Sequence, residues 1–273
     1  NAVEEASFNT SIDLISFGFI EAIPFKPLTS SLYCGTPSIT YKGSVPPAND
    51  DTFSLTTDVT TSIDMGDGDD TLLGSNTSDT FALTGDPAEV LYRGTTFSSV
   101  EIVDGNGGTT DVVNAASTGS SFNITANTEA VVDGISFVDV DGFSGRDGND
   151  TFSVAGTVSL TVDAGSGDDT VMGTVGFDEF GVTGISEQVL LAGATFNDIE
   201  LVQGGGAGGV SASGLGSDFV FDSDSAATID DIGFSGINSF AGGEGADRFS
   251  TNSGLTITVD AGAGEDVVVG TTG

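Results

Sequence analysis

The sequence predicts an all-β protein whose larger part, residues 50–273, is a right-handed parallel β-helix, a β-solenoid with coils of about 19–20 residues. Three observations carry this prediction: long sequence repeats, short stretches in which every second residue is apolar, and glycine- and aspartate-rich corners between those stretches. Such repeats are typical of solenoids, because one coil cannot bury its apolar face until a neighbouring coil stacks on it.

Two markers define the repeats and the domain organisation. The first marker is Asp51–Ser54, Asp150–Ser153 and Asp247–Ser250, and the second is Gly66–Leu72, Gly165–Val171 and Gly262–Val268. Their spacing predicts long repeats at 50–149 and 150–246 and a partial third repeat at 247–273. Nineteen residues separate Asp51 from Asp70, and the same step in each copy predicts five coils per long repeat.

The segments between corners predict strands. In Val158–Val162 and Leu255–Val259, apolar residues alternate with polar ones, and this period of two is typical of a half-buried strand. Glycine at the corners supplies the positive-φ backbone that tight turns need. We expect the recurring large apolar residues to point into the core: Phe97, Phe137, Phe196, Phe234, Val103, Phe143, Val202 and Phe240.

Residues 1–49 differ from the repeats and predict an irregular N-terminal β segment that caps the solenoid or mediates assembly. Its apolar residues Ile15, Phe17, Phe19, Ile23 and Phe25 are all odd-numbered, so they share one face of an extended strand. As a cap, the segment would cover the first coil. As an arm, it would add a strand to a neighbouring subunit.

Composition excludes several classes of function. The chain has 41 acidic residues, 5 basic residues and a formal net charge of −36, so nucleic acid is repelled. The absence of histidine excludes Ser-His-Asp and Cys-His catalysis, and no stretch is apolar enough to span a membrane. The first residue is Asn1, so we expect either that a leader has been removed or that the chain is a fragment, and both fit an exported protein. The single Cys34 is either buried or an intermolecular link.

The acidic corners are candidate calcium sites. A 19-residue step stacks three pairs of carboxylates, and calcium prefers oxygen ligands of this kind. The predicted ligands are Asp51 over Asp70, Asp150 over Asp169 and Asp247 over Asp266, with Asp69 and Asp168 beside them. The alternative is that these residues are solvated turn aspartates that hydrogen-bond their own backbone.

The segment Gly242–Ser250 resembles the nonapeptide of calcium-binding RTX repeats, and residues 50–273 resemble the repeats of large secreted bacterial surface proteins. This resemblance implies a β-solenoid, an extracellular location at the cell surface, and a role in adhesion, surface layers or filaments. Uninterrupted nine-residue repeats, which RTX arrays have, are absent here. A β-helix with a few calcium-competent corners therefore fits better than a continuous β-roll.

We therefore expect an extracellular structural protein that binds copies of itself head to tail in a filament or surface layer and is stabilised by Ca²⁺. The main alternative is an adhesin or stalk module that binds cell-surface glycans, for which the sequence offers Tyr33, Tyr41 and Tyr92 as aromatic contacts. Catalysis is not expected, because the aspartates follow the repeat and an active site would interrupt it.

Overall fold

The computed structural model describes residues 38–41, 50–55, 58, 60–108, 110–251 and 254–270. In chain order, the strands are β1 (Ser38–Tyr41), β2 (Thr52–Ser54), β3 (Thr60–Asp64), β4 (Thr71–Leu73), β5 (Thr80–Leu83), β6 (Val90–Tyr92), β7 (Thr95–Ser98), β8 (Ile102–Asp104), β9 (Val112–Asn114), β10 (Ser121–Ala126), β11 (Glu129–Val132), β12 (Ile135–Val138), β13 (Gly142–Ser144), β14 (Thr151–Val154), β15 (Thr161–Asp163), β16 (Thr170–Met172), β17 (Glu179–Val182), β18 (Val189–Leu191), β19 (Ala194–Asn197), β20 (Leu201–Ser211), β21 (Asp218–Ser223), β22 (Ala226–Ile229), β23 (Ile232–Ala241), β24 (Arg248–Thr251), β25 (Val259–Asp260) and β26 (Val267–Gly270).

The strands form one continuous sheet that closes around the core as two faces. Face I runs β1-β3-β7-β6-β5-β9-β13-β15-β19-β18-β17-β20-β23-β25. Face II runs β2-β4-β8-β12-β11-β10-β14-β16-β20-β23-β22-β21-β24-β26. The long strands β20 and β23 turn a corner and contribute one end to each face. The prediction of an all-β solenoid with parallel stacked coils is confirmed.

Coil length is not uniform, which corrects the prediction of five coils of 19–20 residues per long repeat. The 19-residue step is present where β2 pairs with β4, β14 with β16 and β24 with β26. Other steps are longer: 31 residues from β4 to β8 and 34 from β8 to β12, for example. The reason is that three strands at a time, such as β5-β6-β7, fold as an antiparallel meander within one face.

The meanders depend on tight two-residue turns. In the first, Arg93 and Gly94 have φ values of 48° and 79°, and in the second, Asp133 and Gly134 have 50° and 90°. Positive φ at both central residues is the condition for the hairpin turn that matches strand twist. Asp133-Gly134 between alternating apolar stretches is therefore a hairpin signal in the sequence, and it conflicts with the prediction of coils of equal length.

The core lies between the two faces. The eight apolar residues expected to point inward are all buried, as predicted. Aromatic rings meet within and across the faces: Phe152 lies 4.9 Å from Phe122 in face II and 5.6 Å from Phe196 in face I, measured between ring centroids. Because one apolar cluster runs from Ile63 in β3 to Phe249 in β24, burial couples the two long repeats into one structure.

The predicted N-terminal segment is described only in part. Strand β1 lies within residues 1–49, and it pairs in parallel with β3 at the first position of face I. The predicted assembly residues Ile15, Phe17, Phe19, Ile23 and Phe25, and also Cys34, lie outside the described residues. The part of the chain that the structure describes contains no helix that could cross a membrane.

Candidate functional site

The candidate site consists of the carboxylates that directly precede the strands of face II. The structure brings each of the three predicted pairs into contact, because the strands that follow them are in register. In each pair the first N–H donates to Oδ1 of the second: Asp51 to Asp70 (2.8 Å), Asp150 to Asp169 (2.7 Å) and Asp247 to Asp266 (3.0 Å). These carboxylates therefore satisfy backbone donors of the neighbouring layer.

The middle pair belongs to a longer column. The Ser120 N–H donates to Asp150 Oδ1 at 2.6 Å, and the Asp169 N–H donates to Glu200 Oε2 at 2.7 Å. The column thus crosses four layers, each acid accepting from the corner residue of the layer before it. Glu200 was not predicted, because it lies 31 residues beyond Asp169 rather than 19. The same applies to Glu101, which accepts from the Asp70 N–H.

Glycine makes this stacking possible. A Cβ at Gly145 would collide with the Ala164 carbonyl oxygen and lie 2.5 Å from Asp150 Oδ2, and a Cβ at Gly167 would collide with the Gly148 carbonyl. The corner loops 145–150 and 164–169 therefore touch through their backbones. This contact seals Asp150 and Asp169 from water, and both are buried.

Burial leaves one oxygen of these carboxylates without a hydrogen-bond partner. Among the described side chains, the buried unpartnered Oδ2 atoms at corners include those of Asp51, Asp70, Asp111, Asp150, Asp169 and Asp247. Burial, the largest cause, raises the pKa of Asp150 to about 7, although the Ser120 N–H lowers it. Burial likewise raises the pKa values of Asp70, Asp169 and Asp247. A buried carboxylate needs a proton or a cation to offset its lost hydration.

The other two predicted ligands, Asp69 and Asp168, are exposed. Their N–H groups donate to Asp50 Oδ1 and Asn149 Oδ1, both at 3.0 Å. Within the described ranges, no three Asp, Glu, Cys or His side chains converge as a metal site requires. The unpartnered oxygens in consecutive layers, such as Asp150 Oδ2 and Asp169 Oδ2, have the donor chemistry that calcium prefers, and they are the atoms that would hold it.

Face I also has a buried acid that the sequence analysis did not single out. This residue is Asp79, which precedes β5. Its carboxylate accepts from the Tyr92 hydroxyl (2.9 Å), from Arg93 Nη2 (3.2 Å) and from the N–H of Ser75 (2.6 Å). Burial raises the pKa of Asp79, but these hydrogen bonds outweigh it, so the pKa lies below its ordinary value. Tyr92 is buried, which corrects its interpretation as a glycan-binding aromatic residue.

Comparisons with models of protein families, with curated proteins and with solved structures each find no match to this chain. Function is therefore inferred from the fold and from the corner and surface residues.

Proposed function

We propose that the chain is an extracellular structural protein, the subunit of a self-assembling surface filament or surface layer stabilised by calcium. The observation that carries the proposal is the unbroken pairing along both faces, from β1 to β25 and from β2 to β26. Such a solenoid is a stiff rod that any segment offering strands in the same direction can extend.

The last described layer of face II exposes apolar side chains. Val268 pairs with Phe249 at an inward-facing position of face II, yet 72% of its surface is exposed, and Val267 and Val269 are also exposed. In the filament, the first layer of the next subunit covers these residues. A contact between two different surfaces of one subunit repeats from copy to copy and forms an open filament when the rotation between copies does not close a ring.

Calcium has a physical role in this proposal because the net charge is −36. Carboxylates stacked in consecutive layers repel one another and resist burial. A cation bound by the free Oδ2 atoms of Asp150 and Asp169 would convert this repulsion into cross-linking between layers.

Electron microscopy and thermal unfolding test the proposal together. In millimolar calcium at pH 7.5 we expect filaments or lattices and a raised Tm, and chelation should reverse both. The double variant Asp150→Asn/Asp169→Asn should lose the calcium-dependent rise in Tm, whereas Asp86→Asn, which removes an exposed acid, should keep it. Identical melting curves with and without calcium would contradict the proposed stabilisation by calcium. Isolated rods in every condition would contradict the proposed self-assembly.

One observation favours the second candidate, an adhesin or stalk module. A depression of about 230 Å³ on face II is lined by polar groups that can hydrogen-bond sugars, including Gln203, Asp222, Thr228 and Ser235. If the purified chain forms only isolated rods, binding to immobilised polysaccharides becomes the relevant measurement.

A further inference from the structure

Four large apolar side chains lie on the surface of the second long repeat. Val175 is 98% exposed, Phe177 69%, Ile185 57% and Leu215 78%. All four are in loops, so strand alternation does not require them to be apolar. We call these four residues the apolar loop surface.

The first repeat shows that the fold does not need this surface. The corresponding loop positions of the first repeat are polar and exposed. Asn76, Ser78 and Asp86 lie 99 residues before Val175, Phe177 and Ile185, and Thr118 lies 97 residues before Leu215. The flanking strands are paired in the same way in both repeats. The apolar residues are thus a property of the second repeat alone, and exposed apolar surface of this kind is typical of interaction sites.

The loops border the same region of face I. Val175 and Phe177 precede β17, and the ring of Phe177 lies beside Gly209, with Cζ 3.4 Å from the position of a Cβ there. Ile185 follows β17 in the turn to β18, and the side chain of Leu215 lies beside the neighbouring Gly184. Between the loops, the Leu190 side chain lies over Gly181 on the outward side of face I, with its Cβ 3.2 Å from the position of a Cβ at Gly181. Leu190 is 40% exposed, so it adds apolar area between the loops.

Charge indicates which kind of segment can bind the apolar loop surface. The face-to-face approach of two solenoids is opposed by repulsion, since each chain carries a net charge of −36. Residues 14–26 are different, because they contain only one acid, Glu21, and one base, Lys26. Five of their apolar residues share one side of an extended strand: Ile15, Phe17, Phe19, Ile23 and Phe25. This segment can bring apolar side chains to the apolar loop surface without adding net charge.

Distance favours a second copy as the source of the segment. Along face I, β17 lies ten strand positions from β1, about 48 Å at about 4.8 Å per strand. Thirteen residues separate Phe25 from Ser38, the start of β1, and a fully extended chain of that length spans at most about 43–47 Å. Binding of the whole segment within one chain, Phe25 included, would therefore need the residues between Phe25 and Ser38 to be almost fully extended, whereas the arm of a second copy has no such limit.

We propose that residues 14–26 of one copy bind the apolar loop surface of a second copy. This inference deepens the assembly proposed above, because it names the arm, the acceptor and the direction of the contact. Each subunit then offers one arm and one acceptor, so the contact propagates from copy to copy.

A binding titration tests the contact directly. The probe is a fluorescent synthetic peptide of residues 12–26, and the receptor is the full chain carrying Phe17→Ser/Phe19→Ser/Phe25→Ser, so that its own arm does not compete. Adding Val175→Asn, Phe177→Ser, Ile185→Thr and Leu215→Thr to the receptor should weaken binding at least about tenfold, since buried aromatic anchors dominate such contacts. The control receptor carries Leu91→Thr/Val131→Thr, which changes side chains 40% and 38% exposed elsewhere, and should bind as before. Equal affinity for all receptors, or no binding to any, would overturn the inference.

A mixing experiment separates this contact from assembly in general. The arm variant and the apolar-loop variant should each be monomeric alone, and a mixture should form one-to-one dimers in analytical ultracentrifugation, because only one productive contact remains. Filaments formed by the apolar-loop variant alone would overturn this inference and leave the proposed function standing. If the peptide binding depends on the apolar loop surface but the wild-type chain never forms filaments, the contact inferred here would stand and the proposed filament would be wrong.

Discussion

The two long repeats share a core and differ in their loops and buried polar groups. Phe81 and Phe180 are both buried at equivalent positions of β5 and β17. In the first repeat, Tyr92 and Arg93 hold the buried Asp79. In the second repeat, Leu191 and Ala192 occupy the places of Tyr92 and Arg93, and Asp178 takes the place of Asp79 and is only partly buried.

The comparison of the two repeats indicates which features the solenoid requires. The inward positions and meanders are the same in both repeats because every layer must bury an apolar face. Polar networks at the corners vary: Asp79 is buried where Tyr92 and Arg93 donate to it, and Asp178, which lacks these two donors, is only partly buried. The loops vary most, and the second repeat uses this freedom to expose apolar residues. The first repeat thus serves as an internal reference for the second.

The largest expected difference between the repeats concerns the equivalent acids Asp79 and Asp178. Asp79→Ala leaves the buried Tyr92 hydroxyl and Arg93 without their partner, so we expect a loss of about 3 kcal/mol in the free energy of unfolding. Asp178→Ala removes hydrogen bonds only from Thr174, and we expect about 1 kcal/mol or less. Urea denaturation followed by circular dichroism measures both. Equal losses would show that the network in the first repeat adds nothing to the shared corner.

The next effect concerns pH. The pKa of Asp150 is about 7 in the folded chain, raised from the ordinary 3.8 mainly by burial. The folded state therefore binds a proton more tightly than the unfolded state, and this contribution to stability is lost as pH rises from about 4 to about 7. Without calcium, Asp150→Asn should be more stable than wild type at pH 8, by on the order of 1–4 kcal/mol, and similar to wild type at pH 4.

Asp79 supplies the opposite control. Because its pKa is lowered, its contribution is present above about pH 4 and is lost only as pH falls further. Asp79→Asn should therefore not reproduce the gain at pH 8. If Asp150→Asn has the same stability as wild type at pH 8, the carboxylate column is better hydrated than its burial indicates.

The smallest expected effect concerns an ion pair at the surface. Arg248 Nη1 lies 3.1 Å from Asp218 Oδ1, and both side chains are about half exposed. Exposed pairs of this kind typically contribute about 0.2–1 kcal/mol, so Arg248→Ala should change the free energy of unfolding within that range, and less in high salt. A loss as large as that of Asp79→Ala would show that exposure does not distinguish the two ion pairs.

The repeats and the alternation in the sequence are sufficient to predict the solenoid, its inward residues and the stacking of the 19-residue pairs. Alternation with a period of two fixes which side chains share a face. A repeated corner fixes which residues are neighbours in adjacent layers, as for Asp150 and Asp169.

The order of the layers and the neighbours of each buried acid depend on the tertiary structure. The meanders place β7 beside β3 and β5 beside β9, so residues 30 or more apart become neighbours, and Glu200 completes a column that a 19-residue step does not reach. Burial of Asp150 depends on the close backbone contact at Gly145, and exposure of Phe177 depends on its loop lying outside the core. Both are consequences of packing between distant segments, which local sequence patterns do not specify.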